Sequence, residues 1–309
     1  MRGSPDFTKK EGDGIAVKRR SWIAVVLIVV VLSVSLMYAW QERRTLESGI
    51  RIYVVDVGQG DCMIIETSEG NVMIDTGPNV AESRLRGYLR SHGFQHFDYL
   101  ILSHSHDDHI GNADMILRET TVGRVLCSES TSTETAYSEM KQAIDESIRL
   151  NTVEWIRPKL GDVYWLGKLR IEILYAPPAE NAGDNSDSLI LRLDYGSCSM
   201  LLMGDAEAKE EEMLLETVPS DRLTSDFLKV AHHGSSGSST EKLLSAVSPR
   251  IAVISSGEGN TFGHPHAEVL SRLEKINVDI YRTDIHGTLM FYCDGKRITL
   301  QRYGIDLVS

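Results

Sequence analysis

Residues 100–112, LILSHSHDDHIGN, place three histidines and two aspartates within six positions, directly after an apolar run. The apolar run reads as a buried strand, and the residues after it as the start of a helix. In an extended segment His104 and His106, two apart, face the same side. Asp108 and His109 then turn in from the first turn of the helix. Two imidazoles followed by a mixed carboxylate–imidazole pair suit two adjacent divalent cations, Zn²⁺ by ligand type, with Mn²⁺ the alternative. A polar loop in which Asp108 caps the helix would explain a single histidine. Three at this spacing, with more candidates downstream, favour a metal.

Those further candidates follow other apolar runs. LLMGDAE (201–207) puts Asp205 behind a strand, with Gly204 free to turn sharply, so its carboxylate is expected to bridge two ions. DFLKVAHHGSSGSS (226–239) brings His232 and His233 to another strand end. His232 is favoured as the ligand, and His233 is left to face substrate or to pack. In NTFGHPHAEVL (260–270), His264 and His266 precede a helix, placed to contact a substrate phosphate or protonate a leaving group. Capping and exposure are the plain alternative there. Asp56, Gln59 and Asp61 in DVGQGD are expected to shape a loop beside the site.

The surrounding chain alternates strand-like runs with helical ones. IRIYVVDV, CMIIET, NVMID and DYLILS are strand candidates of the first half, with helices over AESRLRGYLRSHG, IGNADMILRE and residues 134–150. VYWL, LRIEILYA, SLILRLDY, CSMLLMG, DFLKVA, RIAVISS and DIYRT continue the pattern, and GTLMFYC–DG–KRITLQR closes it as a hairpin. Two similar halves of this kind predict two sheets sandwiched between helices, an αββα layering.

Charge bounds the partners. The net charge is −12, and residues 50–309 carry 24 Lys/Arg against 39 Asp/Glu. Such a surface repels nucleic acid at long range, so a nucleic-acid substrate needs a local basic groove or bridging cations. Four cysteines lie far apart without a CxxC pair, so no disulfide framework and no cysteine metal site is expected. The 19 residues 22–40 lack any charge and carry aromatics at both ends. They predict a transmembrane helix, residues 1–21 being cytoplasmic, 41–49 a linker and 50–309 an outward-facing domain. Secretion after signal cleavage is the alternative.

The motifs together resemble the metallo-β-lactamase superfamily. Its HxHxDH metal motif is matched by His104, His106, Asp108 and His109; MIDTG resembles its first motif, with Asp75 supporting the metal loop. Asp205 matches its bridging aspartate and His232 its last histidine. Within the superfamily, VVDVGQGDCMII, NSDSLILRL, LKVAHHGSSGSS and YRTDIHGTLMF are most similar to the extracytoplasmic nuclease-like domain of ComEC-type competence proteins. Surface phosphorylcholine esterases are similar too. The superfamily's third-motif histidine is missing: GDNSDS offers Asn185, Asp187 and Ser188 in its place, a loss that ComEC-like domains share.

The resemblance implies a metallo-β-lactamase-like αββα sandwich and metal-assisted hydrolysis, with Asp108, Asp205, His233, His264 and His266 as catalytic candidates. Water activated by two divalent ions, Zn²⁺ or Mn²⁺, would attack a phosphodiester, DNA being one such substrate. Hydrolysis of another surface ester, such as a phosphorylcholine ester, and a non-catalytic binding module are the alternatives.

Overall fold

The computed structural model describes residues 25–35, 37, 46–177 and 185–303, without the side chains of 302 and 303. The chain divides into Met1–Glu47 and Ser48–Ser309. In the second unit the strands run β1 (Ile50–Val54), β2 (Met63–Glu66), β3 (Asn71–Ile74), β4 (His96–Ile101), β5 (Thr121–Leu126) and β6 (Glu154–Ile156). They continue with β7 (Val163–Leu166), β8 (Leu169–Tyr175), β9 (Ile190–Tyr195), β10 (Cys198–Leu202) and β11 (Phe227–Lys229). The last are β12 (Ile251–Ile254), β13 (Asp279–Arg282), β14 (Leu289–Cys293) and β15 (Ile298–Tyr303).

Two sheets result, ordered β15-β14-β1-β2-β3-β4-β5-β6 and β13-β12-β11-β10-β9-β8-β7. Side chains alternate across each strand, and both faces are apolar. Ile52 and Val54 of β1, Met200 and Leu202 of β10 and Val253 of β12 meet in the core between the sheets. Tyr53 and Ile64 instead pack outward with Leu85, Met140 and Ile144 of the helices Glu82–His92 and Thr135–Arg149. Leu201, Leu228 and Ala252 face Leu214, Leu243 and Val269 on the other side. Three apolar layers between four structural ones make the mixed α/β sandwich that the sequence predicts.

Two features depart from the reading of two similar halves. The C-terminal hairpin β14–β15 returns to the first sheet, where β14 pairs antiparallel with β1, Ile52 opposite Phe291. The strands β5 and β6 were not expected at all. In β5, Gly123 and Arg124 interrupt the apolar run, and Arg124 pairs with Glu154 of β6.

The N-terminal anchor is corrected. No helix among the described residues is long and apolar enough to cross a membrane. Within 22–40 the continuous described helix covers residues 25–35. Residues 1–24, 36 and 38–45 lie outside the described residues. The cell-membrane placement with an outward-facing domain therefore loses its support, and localisation is not established.

Strands β3, β4, β5 and β6 run parallel, as do β10, β11, β12 and β13. Loops leaving the C-terminal ends of β3, β4, β10, β11 and β12 converge, and that edge carries the polar residues described next.

Candidate metal centre

The loop after β4 is fixed before its histidines are reached. Asp75, just past β3 with φ 57°, accepts hydrogen bonds from the Ser103 backbone N–H and hydroxyl, both at 2.7 Å. The short helix Asp107–Ile110 then turns Asp108 and His109 inward. Its far side rests on the DVGQGD loop, where the Asp61 N–H donates to the Asp108 carbonyl at 3.0 Å. A Cβ on Gly60 would lie 2.3 Å from that same carbonyl, so only glycine permits the approach.

Asp108, His109, Asp205 and His233 bring one donor atom each to within 4.8 Å of one another. His109 Nε2 lies 3.2 Å from Asp205 Oδ1, and His233 Nε2 lies 3.1 Å from Asp108 Oδ2 and 3.5 Å from Asp205 Oδ2. Beyond that 3.2 Å approach to each other, His109 Nε2 and Asp205 Oδ1 are buried with no hydrogen-bond partner among the described residues. Orphaned polar atoms at that depth are unfavourable. A divalent cation would satisfy both, and two carboxylates with two imidazoles are a donor set that Zn²⁺ or Mn²⁺ accepts. The residues present fit the group.

At the β11 strand end the structure brings in His233 rather than His232, the ligand that the sequence favours. His232 and His233 both hold left-handed backbone, φ 49° and 52°. That paired reversal drives His233 under the site and leaves His232 at its rim, its Nε2 3.7 Å from Asp205 Oδ2 and its Nδ1 3.3 Å from Glu207. Consecutive non-glycine residues in this region are uncommon and carry strain, which concentrates at functional sites.

The remaining candidates separate by contact. His104 Nε2 and His106 Nδ1 are 3.1 Å apart, and His104 Nδ1 lies 3.4 Å from the Ser188 hydroxyl, which also accepts from the Asp205 N–H at 2.9 Å. Asn185 donates to Glu207 at 3.2 Å and stands 3.5 Å from the His232 ring nitrogens. His264 packs edge-on to His232, with ring centroids 5.5 Å apart, and its Nδ1 is buried without a hydrogen-bond partner among the described residues. His266 is occupied by the loop itself: its Nδ1 accepts from the Ser236 N–H at 2.9 Å and its Nε2 lies 3.2 Å from the Phe262 carbonyl.

Sequence reasoning did not single out Ser103 or Glu207, nor the burial of Lys229. Lys229 is only 2% exposed and pairs with Asp61 at 2.8 Å. A lysine within the apolar run DFLKVA is itself the signal, since lysine is almost never buried unpaired. Asp61 also faces His233 Nδ1 at 3.4 Å, so the ion pair backs the cluster.

Burial works against charge on His109, but the carboxylates of Asp205, Asp75 and Asp108 outweigh it and hold its pKa well above the usual value. Burial likewise opposes charge on His233, which Asp205, Asp108 and Asp61 nevertheless raise to about 10. His104 is pushed well below its usual value by burial and by His109. In the metal-free chain His109 and His233 therefore hold a second proton at pH 7. The stability this gives is complete below ~6.5, the unfolded value, and fades for His233 as pH rises through about 10. A cation must displace those protons. Titration with Zn²⁺ at pH 7, in buffers of differing ionisation enthalpy, is expected to release one to two protons, about one for each imidazole freed. Affinity should rise with pH, and release of no protons would contradict this electrostatic arrangement.

The model of the family described as the Metallo-beta-lactamase superfamily matches residues 55–258. The chain is 29% identical over 296 residues to ComE operon protein 3 of Bacillus subtilis, covering 90% of this chain and 37% of that protein. It is 32% identical over 257 residues to Recombination protein 2 of Haemophilus influenzae, covering 82% of this chain and 30% of that one. The chain thus spans about a third of the length of these relatives. Among solved structures, the metallo-β-lactamase fold protein YhfI of Bacillus subtilis superposes with a TM-score of 0.53 at 13% identity, over 79% of this chain and 100% of that one. That last likeness shows the fold.

Proposed function

The chain belongs to the metallo-β-lactamase superfamily, and from that premise we propose that it is a metal-dependent phosphodiester hydrolase with DNA among its substrates. The observation that carries the reading is the buried group of Asp108, His109, Asp205 and His233 with its orphaned donor atoms. Divalent cations held there supply Lewis-acid polarisation of a phosphoryl oxygen and activation of water. Asp205 faces His109, His232 and His233 at once, so its carboxylate would fix the spacing between ions. His104 and His106 would complete the ligands, with Ser188 holding His104 in place. Asp75 orients His109 through its Nδ1 at 2.8 Å, as outer residues orient ligating imidazoles.

A cleft of about 610 Å³ opens beside the cluster, lined by His106 and Asp108 on its inner side. His264, lowered to about 4 by burial and by the imidazoles of His233 and His232, is neutral at pH 7. It therefore offers one N–H to a substrate oxygen. Relatives named for recombination and for competence support DNA as the substrate class.

The nuclease reading needs basic residues near the site, and few are free to serve. Lys229, Arg192 and Arg282, the few conspicuous bases close to the site in sequence, are engaged internally: Lys229 by Asp61, Arg192 by Asp194 and two backbone carbonyls, Arg282 by Asp284. Affinity must then rest on the cations and on the walls of the cleft.

The test is turnover by the full chain, supplied with Zn²⁺ or Mn²⁺, of bis(p-nitrophenyl) phosphate and of single- and double-stranded DNA. Hydrolysis should vanish on chelation, return with metal, and be lost in Asp108→Ala. Equal inertness of wild type and variant with metal bound would sink the reading.

A further inference from the structure

The walls of that cleft are unlike the rest of an acidic, polar site. Phe262 is 63% exposed and Val80 93%, and both line it, together with Pro78 and Ala81. Exposed large apolar groups grouped at the mouth of a polar site mark a ligand surface.

Neither wall is a loose loop. Phe262 sits in the turn 257–266, whose polar groups are tied to one another. The Asn260 side chain donates to the Gly257 and His264 carbonyls at 2.9 and 2.6 Å and accepts from the His264 N–H. His266 holds the Phe262 carbonyl itself. The phenyl ring lies nearly parallel to the His264 ring, 23° apart with centroids at 5.7 Å, and the residue remains largely exposed. Opposite, Pro78–Ala81 is pinned by Asn112, whose side chain donates to the carbonyls of Thr76, Gly77 and Pro78. A flat apolar ring is thus held out into the cleft by a rigid turn, a few residues from histidines of the candidate centre.

Charge narrows the ligand. Among the described residues the cleft is lined by Asp107, Asp108 and Glu134, with Arg84 as the one basic side chain. A stiff duplex, carrying about one charge per 1.7 Å, finds no basic track there. A single strand is anionic as well, but it is flexible enough to present one phosphate where cations would be held and to turn an unstacked base against the apolar wall, which a duplex cannot do. Aromatic stacking is how such bases are gripped without sequence readout.

Building on the hydrolytic reading above, we propose that Phe262 is a base-stacking platform and that the cleft takes single-stranded nucleic acid, a nucleobase lying against the phenyl ring beside the bound phosphodiester. Val80 and Pro78 close the apolar slot from the other side.

The experiment is equilibrium binding by the full chain to two ten-nucleotide single strands, one of thymidine and one abasic, both with phosphorothioate linkages to slow hydrolysis. Wild type should prefer the thymidine strand by about tenfold or more. Phe262→Ala should bring the two affinities together, and Phe262→Trp should keep them apart. Trp165→Ala, which removes a 58% exposed aromatic outside the cleft, should leave the preference intact. Equal binding of the strands by wild type, or a preference that survives Phe262→Ala, overturns the proposal. The readout needs no turnover. A base preference in a chain that hydrolyses nothing would uphold the platform and sink the hydrolase, and hydrolysis without preference would do the reverse.

Discussion

Asp205→Asn is expected to lower kcat/KM for bis(p-nitrophenyl) phosphate by about 10³-fold or more while the domain stays folded. Losing a residue that merely orients a ligand costs about 10- to 100-fold in affinity or activity. Asp205 stands closer than that. Its Oδ1 lies 3.2 Å from His109 Nε2, and its Oδ2 lies 3.5 Å from His233 and 3.7 Å from His232. One carboxylate therefore spans both sides of the cluster. Asparagine keeps its volume and its backbone link to Ser188, but it brings an NH₂ where a lone pair is needed and removes the charge. Metal content after gel filtration and release of p-nitrophenol check the result together. Retention of two metal equivalents with full activity would show that the cluster is not the reaction centre. Asp75→Asn is the useful comparison, with the smaller loss expected of a residue acting through His109.

Asp108, His109 and Asp205 of the candidate cluster were legible, because short-range spacing and strand ends announce such donors. In HSHDDH the helical turn Asp107–Ile110 carries Asp108 and His109 into the group of four, while His104 and His106 stay in the loop between β4 and that turn, outside it. The choice between His232 and His233 was not legible. Both follow the same strand, and what separates them is a pair of left-handed backbone conformations that residue type does not announce. Alternation of apolar side chains carried the αββα layering for the same local reason. The return of β14 to pair with β1 is a contact between residues some 240 positions apart; local periodicity is silent about such pairing. At the N-terminus, the uncharged run 22–40 suggests a span by composition, whereas no helix among the described residues is long and apolar enough to cross a membrane. The aromatic platform escaped notice because a lone phenylalanine in NTFGHPH acquires meaning only through the turn that presents it.

The ion pair behind the cluster gives the second large effect. Lys229→Met should destabilise the domain by about 3–5 kcal/mol, because it leaves the Asp61 carboxylate buried without its partner. For a unit of this size that is a fall in Tm of roughly 10 °C. Burial alone would raise the Asp61 pKa, but the Lys229 ammonium and the His233 imidazole overcome it and hold the carboxyl well below its usual range. Its charged form thus contributes stability above the unfolded value of ~3.9 that is lost as pH falls through the folded one. Removing the ammonium reverses much of that depression, so the variant should differ most from wild type near neutral pH and least in acid. Pairing the change with Asp61→Asn removes the stranded charge, and the double variant should regain most of the lost stability, since a buried ion pair is often worth no more than a neutral pair of similar volume. Activity should not return with it. Asp61 faces His233 Nδ1 at 3.4 Å, and an amide in its place no longer favours the imidazole's orientation toward Asp108 and Asp205; a deficit of about 10- to 100-fold is expected to remain. Thermal melts of the single variants and the double one, set beside their turnover rates, separate the two roles. Full recovery of both stability and rate in the double variant would reduce the pair to a packing element with no part in positioning His233.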